Sequence, residues 1–172
     1  MSCLGPSPRG LLAGTIVFPM SGTARRGFTL IEILLAIGIL GVLAVVAVPS
    51  YARYVERTRV TQAAIDIAGM GALIHAYYLD NRDYPDTLAR IGAGSKLDPW
   101  GRPYEYLAFR TPSDRGHARK NRNLVPINSD FDLYSKGKDG RSVAPLVAAD
   151  SQDDVVRAND GAFIGLASTY SQ

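Results

Sequence analysis

One cysteine, one tryptophan and two histidines are all that 172 residues contain of these types. The cysteine is Cys3, near the start, so any chain that begins at or beyond Phe28 has no disulfide and no thiol chemistry. His75 and His117 stand too far apart in sequence to suggest a zinc site, and a packed or solvent-edge role suits His75 better than a ligand role. No nucleophile–base spacing and no cluster of metal-ligating His and Cys accompanies them, which argues against an enzyme. Net charge is also missing. Arg9, Arg25 and Arg26 are the only charges before Phe28, and beyond them 16 basic residues face 16 acidic ones. The basic excess therefore belongs to the first 27 residues and is no argument for a nucleic-acid partner.

What the chain does have is one long apolar run. Phe28 to Val48, FTLIEILLAIGILGVLAVVAV, carries a single charge, Glu32. About 20 apolar residues span a hydrocarbon core of roughly 30 Å, so the run qualifies as a membrane helix by length. Arg25 and Arg26 flank its N-terminal side, which keeps that end cytoplasmic and sends the C-terminal bulk to the opposite compartment. A carboxylate inside such a run costs a few kcal/mol even on lenient scales, on the order of 3 kcal/mol at the centre, so Glu32 asks for a function. An ordinary signal anchor or a cleaved secretory signal explains neither Glu32 nor the Gly27–Phe28 junction.

Arg25-Arg26-Gly27-Phe28-Thr29-Leu30-Ile31-Glu32 resembles the processing site of the type IV pilin superfamily. The resemblance implies that a prepilin peptidase cuts after Gly27, that the new amine of Phe28 is N-methylated, and that Glu32 is an assembly residue. In the family this glutamate is thought to meet the N-terminal amine of a neighbouring subunit, in a filament whose core is made of these apolar helices. Residues 1–27 are then a leader. Leu11 to Phe18 reads as a secretory h-region, or else translation begins at Met20 and leaves a short, basic, hydrophilic leader. The second is preferred.

Beyond Pro49, which kinks rather than ends a helix, Val60, Ala64, Ile67, Ala68, Gly71, Ile74 and Tyr78 recur at helical spacing. Asp80 to Pro85 ends the pattern. A single helix from Phe28 to about Leu79 is expected, roughly 75–80 Å at 1.5 Å per residue. Residues 85–96 read as a loop with one helical turn around Thr87–Arg90. Leu97 to Tyr104, with two prolines and a glycine, reads as a rigid corner whose Trp100 packs on the helix. Tyr104–Phe109 and Phe131–Ser135 are expected strands, and Ala162–Gly165 a third. The expected class is α+β and pilin-like: a long N-terminal helix, membrane-spanning in its first half and amphipathic in its second, packed on a small antiparallel sheet with a C-terminal loop.

The blocks Asp98-Pro99-Trp100-Gly101-Arg102-Pro103-Tyr104 and Asp132-Leu133-Tyr134-Ser135-Lys136-Gly137-Lys138-Asp139-Gly140 resemble the major pseudopilin of type II secretion systems. That implies leader 1–27, a transmembrane and filament-core helix 28–48, an amphipathic helix 49–80 and a periplasmic domain 81–172. It implies a structural subunit of a pseudopilus, anchored in the inner membrane, that drives protein export across the outer membrane. Partners implied are further copies of the chain, minor pseudopilins, the prepilin peptidase/N-methyltransferase, and an inner-membrane assembly platform with its ATPase. The alternative is a minor type IV pilus subunit for adhesion, motility or DNA uptake.

The same resemblance implies a calcium ion in the C-terminal loop. Asp139 matches one family ligand, and Asp154, Asp153 and Asp160 are candidates for the second; Asp150 adds another carboxylate nearby. Calcium suits such a loop because it takes six to eight hard oxygens. The insertion Val143–Ala149 leaves the second ligand open. The bland alternative is that Asp153-Asp154 caps a helical turn through Val155–Arg157 and Asp160-Gly161 is a turn. Arg110 to Arg122 is a basic stretch without interleaved aromatics, read as a solvated insertion in preference to a contact with DNA.

Overall fold

The computed structural model describes residues 27–171. The leader expectations therefore lie outside the described residues, apart from Gly27 itself. The chain divides into two units at Leu43/Ala44.

One helix, α1 (Leu30–Asn81), serves both units, and Pro49 lies inside it without ending it. In the first unit every side chain of the apolar run is exposed, Phe28 and Leu30 at 78% each. Among the described residues nothing packs on Leu, Ile, Val and Ala here, and the helix is long and apolar enough to cross a membrane.

In the second unit α1 turns a narrow stripe inward: Ala63, Ile67, Met70, Gly71 and Ile74 are buried. Ile67, Gly71 and Ile74 match the expected face. Ala68 is exposed, and Ala63 and Met70 take the flank instead, so the buried face is rotated slightly. The stripe packs on β1 (Glu105–Ala108), β2 (Phe131–Ser135), β3 (Val155–Ala158) and β4 (Phe163–Leu166). The four form one antiparallel sheet in sequence order. Ile67, Ile74, Phe131, Leu133 and Val155 make the helix-facing core. A second cluster, Ile127, Leu146, Val156, Ala158, Ala167 and Tyr170, fills the opposite face.

The sheet has one strand more than expected. Val155–Ala158 is a fully buried strand and not a capped helical turn. Two β-branched valines suit a pleated, two-sided environment. Arg157 tolerates burial because both its terminal nitrogens donate to the Asp130 carboxylate, at 2.8 and 2.6 Å, while its guanidinium lies 4.0 Å from the Phe131 ring centre. His75 stands at the rim of this cluster, half-exposed, with Nε2 3.7 Å from Asp130.

The basic stretch contains a short helix, α2 (Pro112–Gly116). Thr111 starts it, with its amide and hydroxyl both donating to Asp114 Oδ2. Two of the stretch's arginines are pins and not solvated charges. Arg110 reaches Asp83, Asp86 and the Tyr84 carbonyl, and Arg119 is buried.

Candidate functional sites

The first site is the start of α1. Thr29 and Glu32 cap one another: the Thr29 amide donates to Glu32 Oε2 at 3.5 Å, and the Glu32 amide donates to Thr29 Oγ1 at 3.3 Å. The reciprocal pair satisfies two of the orphan donors at a helix start and puts a carboxylate against the positive end of the helix dipole. Gly27 and Phe28 lie just ahead in non-helical backbone, fully open. The glycine–phenylalanine junction is thus exposed immediately before a capped helix. The cap was legible as T-x-x-E, Thr29-Leu30-Ile31-Glu32, although the reading above gave Glu32 an assembly role only.

The second site is the corner and loop at the end of β2. Asp98 organises it. Its Oδ1 accepts the amides of Trp100 (3.0 Å) and Arg102 (2.8 Å), and its Oδ2 accepts the Ser135 hydroxyl. One buried carboxylate thereby folds the D-P-W-G-R corner and ties it to the last residue of β2. Trp100 does pack toward the helix, donating its Nε1–H to Glu56 at 3.1 Å. Tyr104 and Lys96 both reach Asp66 of α1, each at 3.0 Å.

Gly137 and Gly140 then turn the chain with φ of +59° and +74°. A methyl group on Gly137 would sit 2.1 Å from the Asp153 carbonyl oxygen, and one on Gly140 2.5 Å from the Arg102 guanidinium. Both positions need glycine for conformation and for space.

The four proposed ligands go to different places. Asp139 and Asp153 are neighbours, the Asp139 amide donating to Asp153 Oδ2 at 2.9 Å. Asp139 also accepts the Arg141 amide at 2.7 Å. Asp154 points inward, fully buried; its Oδ2 takes the Arg119 guanidinium and the Ser142 hydroxyl. Burial pushes Asp154 up to about 6, against the pull of Ser142 and Arg119. Asp160 faces Ser129, whose amide and hydroxyl it accepts at 2.6 and 2.7 Å. Burial works to raise its carboxyl, but those bonds prevail and hold it below the usual range. Asp150 pairs with Arg141. Among the described residues no group of three or more His, Cys, Asp or Glu side chains is placed to hold a metal ion. The four carboxylates do not converge on one point; only Asp139 and Asp153 lie side by side.

An exposed apolar helix preceded by a G-F-T-L-I-E junction, with its second half laid on a small antiparallel sheet, defines a pilin-like subunit. Two family profiles match the chain: the prokaryotic N-terminal methylation motif over residues 22–48, and type II secretion system (T2SS), protein G over residues 50–154. The chain belongs to the type II secretion system protein G family. It is 34% identical over 143 residues to the type II secretion system core protein G of Pseudomonas aeruginosa, covering 71% of this chain and 89% of that one. The protein of the same name from Dickeya chrysanthemi is 32% identical, over 80% of this chain and 88% of its own. A fimbrial protein of Neisseria meningitidis is 36% identical over 119 residues, 69% of this chain and 70% of its own. No solved structure matches.

Proposed function

We propose that the chain is a structural subunit of a type II secretion pseudopilus, made as a precursor, cut after Gly27 and N-methylated on Phe28. The mature chain is held in the inner membrane by residues 28–48, with residues 81–172 on the periplasmic side, until it joins a filament of its own kind. Minor pseudopilins, the prepilin peptidase/N-methyltransferase and an inner-membrane platform with its ATPase are the partners this role calls for. The observation that carries the proposal is the uncovered apolar helix. Among the described residues, nothing covers the twenty-one from Phe28 to Val48. A lipid bilayer before assembly and neighbouring helices afterwards both supply the missing burial.

Glu32 fits the second environment. Cleavage creates a positive amine on Phe28, which would be costly to bury alone; a carboxylate from an adjacent copy recovers much of that cost. Glu32→Ala is expected to leave processing and membrane insertion intact and to abolish filaments. Mass spectrometry of the membrane-extracted chain reads cleavage and methylation, and electron microscopy of sheared filaments reads assembly. A mature chain that begins elsewhere than Phe28, or filaments of ordinary number from the variant, would overturn this role.

A further inference from the structure

We propose that the C-terminal loop, residues 136–154, is held closed by the chain's own guanidinium groups, chiefly Arg102 and Arg119, in place of a divalent cation. Two kinds of oxygen in this loop suit a hard cation: backbone carbonyls at the G-x-D-G turn and the aspartate carboxylates. Arginine reaches oxygens of both kinds, although Asp153 accepts the Asp139 amide instead. Arg102 donates to the Gly137 carbonyl at 2.7 Å and to the Lys138 carbonyl at 3.3 Å. Gly140 makes room for it, since any side chain there would strike the guanidinium. Arg119 bridges the Ser142 hydroxyl and the Asp154 carboxylate and lies 4.3 Å from the Tyr134 ring centre. Its backbone amide donates to Asp132 at 2.6 Å, which fixes the arginine from its other end. Arg141 adds an exposed contact to Asp139 and Asp150 at 3.6 and 3.4 Å, a weak one at that exposure.

The two buried charges also oppose a metal. Asp154 Oδ1 has no hydrogen-bond partner, which alone would suit a cation. The guanidinium that holds the other oxygen is itself buried and keeps one donor, Nε, unpartnered. A divalent ion at Asp154 would stand beside that positive charge in a medium of low dielectric, where repulsion is strong. Guanidinium is charged at every accessible pH and presents a flat fork that carbonyl and carboxylate oxygens match. Calcium depends on supply from outside; arginine is part of the chain. The loop would then order itself in any ionic medium.

The test is calorimetry of the full chain in detergent, in excess EGTA and in millimolar calcium chloride. The wild-type melting temperature is expected to agree between the two within roughly 1 °C, a shift well below that of one lost contact. Arg102→Gln and Arg119→Met are expected to melt lower in both media, the second by roughly 10 °C because it strands a buried carboxylate. Should Arg119→Met fail to fold, limited proteolysis of Arg102→Gln replaces it: faster cleavage within 136–154, equal with and without calcium, supports the proposal. A wild-type melting temperature that falls in EGTA and returns with calcium overturns it. So does calcium protection of the loop, or wild-type melting of both arginine variants.

Discussion

Replacing Asp98 with alanine tests how far one side chain organises the corner. Three donors converge on its carboxylate: the Trp100 amide at 3.0 Å, the Arg102 amide at 2.8 Å and the Ser135 hydroxyl. Hydrogen bonds to a charged group contribute about 1.5–3 kcal/mol each, and orphaned buried donors cost a similar amount. The three are not independent, and Trp100 and Arg102 are only partly buried, so water can reach their amides. A loss of about 3–4 kcal/mol follows, a large share of the 5–15 kcal/mol that holds a typical domain. For a chain of this size it corresponds to a fall in melting temperature of about 10 °C. Asp98→Asn is expected to retain roughly half, since its carbonyl still accepts both amides. Calorimetry in detergent measures both variants. A shift below about 2 °C for the alanine variant would refute the reasoning, because the corner would then hold without its acceptor.

Other perturbations follow from the same geometry. Ile67→Ala, at a fully buried helix position, is expected to cost about 2–5 kcal/mol by denaturant titration. Gly137→Ala puts a methyl into the Asp153 carbonyl and is expected to destabilise more than Gly101→Ala, which is strained in φ but open in space; equal melting of the two would contradict the clash. Asp66 is held below the usual carboxylate range: burial tends to raise it, but Lys96, Tyr104 and Gln62 outweigh that. Its contribution is therefore present above its unfolded value of 3.8 and fades as pH falls through the lower folded value. Asp66→Asn is expected to flatten the acid side of the stability profile, and identical acid limbs for variant and wild type would contradict it. Substituting Gly27 is expected to block cleavage without altering the helix, read as retention of the precursor mass.

Local features of the chain were the most legible. The apolar run, the helix to Asn81, the corner and three of the four strands follow from runs, periods and turn residues that lie next to one another. β3 was not legible, because Val-Val-Arg-Ala carries a charge in its middle, and only Asp130, 27 residues away, makes burial of Arg157 tolerable. The partner of Asp154 was hidden for the same reason: Arg119 reaches it from 35 residues upstream. Charge partners that distant leave no spacing rule to read. The two capping boxes, Thr29–Glu32 and Thr111–Asp114, were there to be read, since each is a four-residue pattern.

The Thr29–Glu32 cap has a bearing on how subunits wait. A bare carboxylate near lipid would make the unassembled chain unstable in the bilayer and ready to pair with any cation. Here the carboxylate already has a donor, at the loose distance of 3.5 Å. On the role proposed above for Glu32, this is a provisional partner that a stronger one, the charged amine of a neighbouring copy, would displace at small cost. A reservoir of idle subunits in the membrane would be tolerable on these terms, and joining the filament would become an exchange of partners.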